Sequence, residues 1–291
     1  MKTRKDRIKI GIIGINGKYG QWLKWFFEQL GCDVIGSDVV GIWTKNRQVV
    51  EQADVVVFAV PISTTVAIIE EVVEFSRQGQ LFMDVTSLKG PAVRAMLKSK
   101  ASVLPLHPMC APPQFGQTLR GQVIVRCDTK DRLANTWRGW VDRMLKATEA
   151  KIKISTPEEH DRTMAIVQGL THAVALLMAS VIRTMKIDVA AIDDYVSPPY
   201  RVSLSVIGRI LNQDPLLYKD IQMNNECINE VLNVLVQEAE RFRQIVKSKD
   251  EVSFFTDFIA SREHFGKEVG RANNFFLGVM KLITDSKKTA P

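Results

Sequence analysis

Four histidines occur in the 291 residues, His107, His160, His172 and His264, so each can be weighed for acid–base work. His107 stands apart because it follows an apolar run and lies between two prolines in Leu104-Pro105-Leu106-His107-Pro108-Met109. Stiff backbone there would hold an imidazole at a strand end, and a small shift in surroundings makes an imidazole a base near neutral pH. The plain alternative is a histidine capping a turn. Upstream, the run closing at Asp84 is followed by Thr86 and Ser87. A hydroxyl on that rim could orient the imidazole or a bound hydroxyl, or simply cap a helix.

A second set of residues suits phosphate and ribose. The apolar run at 8–13 leads into Gly14-Ile15-Asn16-Gly17-Lys18-Tyr19-Gly20, and Asp38 stands 18 residues after Gly20 at the end of another apolar run. A glycine turn between a strand and a helix can set a pyrophosphate on backbone N–H groups at the positive end of the helix dipole, and the acid can accept from ribose hydroxyls. A carboxylate at 38, with no arginine close behind it, would repel a 2′-phosphate, which favours NAD over NADP. Ile15 occupies the place of the usual first glycine, so Gly14 is expected to make the tight turn. Val60-Pro61 closes a further strand at a loop that could pass under the dinucleotide, or merely end the strand.

Arg201 and Arg209 lie eight residues apart, little more than two helical turns. Paired guanidiniums suit a substrate with more than one carboxylate, since each grips a carboxylate through two parallel N–H bonds; solvated surface arginines are the bland reading. Gln168 and His172 are four apart on one face of an apolar helix and need partners there. His160 is expected to be structural, and His264 is given no role.

The elements that position these residues come in two styles. Val/Ile/Leu runs at 8–13, 34–35, 55–60, 81–85, 103–106 and 123–125 alternate with helix-length segments, the rhythm of a mostly parallel, doubly wound Rossmann-type sheet covered on both faces. After about residue 152 helical patterns take over, dividing the chain into a dinucleotide-binding domain at 1–152 and a helical domain at 153–291. Thr156-Pro157, Ser197-Pro198 and Asp214-Pro215 are helix starts by capping logic. The first of these helices, running to about Met185, is apolar round most of its girth and is expected to be buried centrally. Ile228, Val231, Leu232, Leu235, Ala239, Phe242 and Ile245 form an apolar stripe, read either as core or as a self-association face.

With 46% hydrophobic and 24% charged residues the chain can bury a full core. No apolar h-region precedes the first strand and no uninterrupted apolar stretch approaches the roughly 20 residues of a membrane span, so neither export nor membrane insertion is expected. Cys32, Cys110, Cys127 and Cys227 are scattered, without zinc-ligand spacing, which fits reduced thiols in a cytoplasm and no metal. The net charge of +7 owes much to lysines and arginines near both ends, so nucleic acid is not an expected partner.

Taken together, Leu106-His107-Pro108-Met109, Glu159-His160-Asp161, the segments 168–172 and 197–201, Gly208-Arg209 and the segment 213–220 resemble the prephenate and arogenate dehydrogenase family in order and spacing. The resemblance implies a nucleotide-binding domain followed by a helical domain that forms a homodimer. It implies oxidative decarboxylation of prephenate to 4-hydroxyphenylpyruvate with NAD, in tyrosine biosynthesis and without a metal. His107 matches the family's catalytic histidine, Ser87 its strand-end serine and Arg209 its carboxylate-binding arginine, while Gln168, His172 and Tyr218 fall where the family lines its substrate pocket; Arg201 is grouped with them. Arogenate and 4-amino-4-deoxyprephenate are alternative substrates. A non-catalytic, NAD-sensing dimeric binding protein is the alternative of another class.

Overall fold

The computed structural model describes residues 7–39, 45–129, 135–192 and 195–288. Its seven strands are β1 (Lys9–Ile13), β2 (Asp33–Ser37), β3 (Val55–Phe58), β4 (Leu81–Asp84), β5 (Ser102–Pro108), β6 (Val123–Cys127) and β7 (Lys151–Ser155), in the order β2-β1-β3-β4-β5-β6-β7. Neighbours pair in parallel except β5 with β6, which run antiparallel.

The period-2 alternation of side chains divides each buried strand between two cores. Ile10, Val55, Val57, Leu81 and Met83 face α1 (Lys18–Gln29) and α5 (Asn135–Ala147), packing on Trp22, Phe26, Phe27, Val141 and Met144. Val56, Phe58, Phe82 and Val103 point the other way, onto α2 (Asn46–Gln52), α3 (Ile62–Val72) and α4 (Gly90–Met96) through Val49, Ile69, Val93 and Met96. Continuous Val/Ile/Leu runs are therefore the signature of strands covered twice, and the doubly wound reading holds. Phe58 and Phe82 are wholly buried and meet edge to face at 5.4 Å; each contributes roughly 2–3 kcal/mol by burial.

β7 was not foreseen. Its Lys-Ile-Lys-Ile alternation is half exposed at the sheet's edge, where lysines discourage further pairing. The expected boundary at 152 falls inside it. By contacts the chain forms two compact units, residues 1–173 with 214–228, and 174–213 with 229–291. The first unit thus takes in α6 (Pro157–Met164) and α9 (Pro215–Asn224).

The capping readings hold at two of the three expected starts. Thr156 Oγ1 accepts from the Glu159 N–H at 3.1 Å and Asp214 Oδ1 from the Leu216 N–H at 2.9 Å. Ser197 precedes α8 (Pro198–Leu211) without a side-chain cap. The long helix from Pro157 is α-helical to Met164, π-helical over Ala165–Leu170, and α-helical again as α7 (Thr171–Thr184).

Central burial of this helix is corrected: Val174, Leu177 and Val181 are 46%, 51% and 57% exposed, because an apolar girth outruns what one chain packs against it. By length and composition alone Pro157–Thr184 is apolar enough to cross a membrane, although Gln168, Thr171 and His172 interrupt its apolar run. In the second unit, α8 is followed in sequence by α10 (Ile228–Ser248), α11 (Glu251–Phe265) and α12 (Glu268–Lys288).

Candidate active site

The carboxyl ends of β1, β3, β4 and β5 share one sheet edge, and the strand order reverses between β2-β1 and β3, which is where sheets of this kind bind ligands. Gly14 turns there at φ +90°. Its N–H and that of Ile15 donate to the Ser37 carbonyl at 2.9 and 3.2 Å. A Cβ on Gly14 would lie 2.4 Å from the Ala59 carbonyl oxygen, and one on Gly20 would lie 2.1 Å from that of Gly14. Both positions therefore require glycine. Ile15 sends its side chain into the core, where Gly36 makes room: a Cβ on Gly36 would meet it at 2.5 Å. A glycine is thus dispensable at 15 because the turn is made at 14.

Helix α1 opens from Gly17 with no side-chain cap and no acid in its first turn. Its leading N–H groups and dipole favour an anion. The Asn16 N–H donates to Asp38 Oδ2 at 2.8 Å, which sets the carboxylate beside the loop. Lys18 is exposed. The Tyr19 hydroxyl donates to the Cys110 carbonyl at 2.6 Å, and burial, reinforced by Cys110, raises its pKa so that it stays a neutral donor. Val60 and the exposed Pro61 close β3, with Pro61 at the start of α3.

His107 lies on β5 and is 3% exposed. Its Nδ1 is 2.9 Å from His160 Nε2, with the rings tilted by 66°. His160 Nδ1 is 2.7 Å from Asp161 Oδ1, and the same carboxylate accepts the N–H groups of Lys89 (2.9 Å) and Gly90 (2.7 Å). A carboxylate only accepts, so His160 donates through Nδ1; in the tautomer where its Nε2 accepts, His107 donates through Nδ1 and keeps the lone pair on Nε2.

Burial, with Lys89 and His160 beside the ring, holds the His107 pKa well below the ordinary imidazole value. Burial works against ionised Asp161, but the hydrogen bonds from His160, Lys89 and Gly90 outweigh it and keep the pKa low. A neutral imidazole and an ionised acid result, the pairing that general-base chemistry needs.

Two expectations change on this rim. Thr86 is buried, its N–H and hydroxyl on Asp84 Oδ2 at 3.1 and 2.7 Å, so its side chain is taken up by the strand-end turn rather than offered to a cofactor. Ser87 is half-buried near the same strand end, while the partner of His107 Nδ1 is His160, a residue expected to stand apart from the site.

Gln168 sits in the π-helical turn, and its side-chain carbonyl is buried without a partner among the described residues. Such turns recur at functional sites. His172 meets the buried Tyr218 ring edge-on at 4.9 Å. The Gln222 side-chain amide donates to the Gly169 carbonyl at 2.9 Å and Asp220 accepts the Ser63 N–H at 3.0 Å, so α9 ties the turn to the start of α3. The structure thus brings together His107 with His160, and His172 with Tyr218. Arg201 and Arg209 both lie on α8, in the second unit; Arg209 is exposed.

Sequence reasoning missed His160, Asp161 and Lys89 as parts of one network. The adjacent His-Asp pair behind a proline-started helix was the available signal. Among the described residues no group of three or more His, Cys, Asp or Glu could hold a metal.

The family model described as prephenate dehydrogenase, nucleotide-binding domain, matches residues 38–154, and that described as prephenate dehydrogenase, dimerization domain, matches 156–259. A probable arogenate/prephenate dehydrogenase from Methanocaldococcus jannaschii is 33% identical over 284 residues, covering 92% of this chain and 63% of its own length. This chain therefore spans less than two thirds of that relative. A T-protein from Haemophilus influenzae is 30% identical, covering 90% of this chain and 68% of its own. In structure, prephenate dehydrogenase from A. aeolicus, solved with hydroxyphenyl propionate and NAD+, superposes with a TM-score of 0.68 at 17% identity, covering 90% of this chain and 99% of that one. Sequence and fold together make the chain a member of the prephenate dehydrogenase family.

Proposed function

We propose that the protein catalyses the NAD-dependent oxidative decarboxylation of prephenate to 4-hydroxyphenylpyruvate, a step of tyrosine biosynthesis. The observation that carries this reading is the His107–His160–Asp161 chain, which leaves a neutral imidazole nitrogen free to take a proton.

The residues at the glycine turn fit a dinucleotide. Gly14, Gly17 and Gly20 allow a phosphate close to the backbone of Ile15, Asn16, Lys18 and Tyr19, the uncapped start of α1 favours its charge, and Asp38 suits ribose hydroxyls. Val60 and Pro61 would pass beneath it. When bound, NAD would take up the hydride that leaves C4 of the substrate. His107 accepts the proton of the 4-hydroxyl as a carbonyl forms there, and Asp161, through His160, stabilises the resulting imidazolium. Loss of CO₂ then makes the ring aromatic, so much of the driving force lies in the substrate, and the protein's task is alignment.

Within the second unit, Arg209 and Arg201 on α8 would each suit a substrate carboxylate; within the first, Gln168, His172 and Tyr218 would line a substrate pocket and Ser87 would meet the hydroxyl. A 4-amino substrate has no hydroxyl to deprotonate, which argues against 4-amino-4-deoxyprephenate. A binding-only NAD sensor has no use for a base held in this way. The match to a dimerization domain supports a homodimer, whose second copy would cover the exposed apolar faces of α7 and α11, including Leu177, Val181, Phe255 and Phe258. A cytoplasmic location goes with this reading.

The test is to mix the protein with NAD and either prephenate or arogenate, follow NADH, and identify the product. NADH with 4-hydroxyphenylpyruvate from prephenate is expected; turnover of arogenate alone would reassign the substrate, and turnover of neither would overturn the reading.

A further inference from the structure

Lys89 is wholly buried, unusual for a lysine even when paired. Its ammonium forms an ion pair with the equally buried Asp84 at the end of β4 and donates to the Leu106 carbonyl at 2.6 Å, one residue before His107. Its own peptide N–H donates to Asp161 at 2.9 Å. These bonds close a ring: from Lys89 Nζ to the Leu106 carbonyl, through the chain to His107, across to His160, on to Asp161, and back to the Lys89 N–H. Stability alone does not explain it. A buried ion pair is commonly no better than well-packed apolar residues, and here Asp84 Oδ1 has no partner among the described residues.

We infer that Lys89 is a positioning residue for His107, fixing from below both the strand that carries the imidazole and the carboxylate that orients it. The inference rests on His107 being the proton acceptor of the proposed reaction. Lys89, before α4, and His160, on α6, act on the imidazole itself; Asp84 on β4 and Asp161 on α6 pair with these two, and Cys127 on β6, whose thiol burial pushes up to about 12, feels Lys89, Asp84, Asp161 and Asp128. Burial opposes protonation of His107 most, followed by Lys89 and then His160.

The experiment compares Lys89→Met, and the charge-removing pair Asp84→Asn with Lys89→Gln, against the unchanged protein. Three readouts are taken: kcat per folded molecule, NAD affinity, and the pH midpoint of His107 protonation from ring nitrogen NMR. In Lys89→Met the midpoint should rise by roughly one pH unit once the opposing cation is gone. In both variants kcat should fall about 10-fold or more, with NAD affinity within about twofold, because the base rather than the dinucleotide loop is displaced. A merely structural lysine would lower the folded fraction and leave the midpoint and kcat per folded molecule alone, and that result overturns the inference. If Lys89→Met fails to fold, the double variant decides: kcat within about twofold of the unchanged protein overturns it. The NMR midpoint needs no turnover, so a shifted midpoint in a protein inactive on prephenate and arogenate would spare this inference while removing the proposed function.

Discussion

Helices α1 and α4 both start at the carboxyl edge of the sheet, and their first turns are treated in opposite ways. The start of α1 has no side-chain cap, no acid in its first turn, and glycines that let other atoms come close. The start of α4 is closed by Asp161, which takes the N–H groups of Lys89 and Gly90 and passes its remaining capacity to His160. An open positive helix end is a place for a mobile anion. A closed one is a place to anchor fixed chemistry. On the proposed function, the same backbone feature would serve a nucleotide in one region and a base in the other.

Breaking the α4 side should abolish turnover while sparing the nucleotide. His107→Asn is expected to lower kcat by at least ~10²-fold with NAD affinity unchanged, as removal of a general base does; steady-state kinetics beside equilibrium binding would check it, and a fall in NAD affinity would merge the two regions. Breaking the α1 side should do the reverse. Gly20→Ala would press a Cβ into the Gly14 carbonyl, so NAD binding should weaken by more than about 10-fold with a Tm lowered by several degrees, while the His107–His160 contact survives.

Two smaller effects sharpen the contrast. Asp38→Asn keeps the Asn16 contact possible but removes the charge, so the preference for NAD over NADP should narrow by about tenfold, read as the ratio of kcat/KM for the two. Stability should also respond to acid. Below about pH 6.5 the unfolded chain takes up a proton at His107 that the folded chain refuses, so stability is retained above that pH and declines as pH falls through it. His107→Asn should flatten that slope in denaturant titrations.

The α1 side was largely legible in the sequence, because a strand, a glycine turn, a helix and an acid are contiguous and local sterics fix their arrangement. Even there, the Tyr19 hydroxyl donates to the Cys110 carbonyl, a contact 91 residues away that no local pattern marks. The α4 side was legible only at His107. Its partner lies 53 residues away, and no periodicity marks a contact between a strand and the first turn of a distant helix. Edge strand β7 escaped because a half-exposed Lys-Ile alternation lacks the continuous apolar run of its neighbours. The π-helical turn at Ala165–Leu170 escaped because its composition is that of an ordinary apolar helix.

The most direct test of the central claim, that His107 held by His160 and Asp161 is the base of an NAD-dependent oxidation, is the rate of NADH formation from prephenate by the unchanged protein and by His160→Phe. Removing the imidazole partner should cost roughly 10–100-fold in kcat with KM for NAD preserved. Full turnover by His160→Phe would contradict the account.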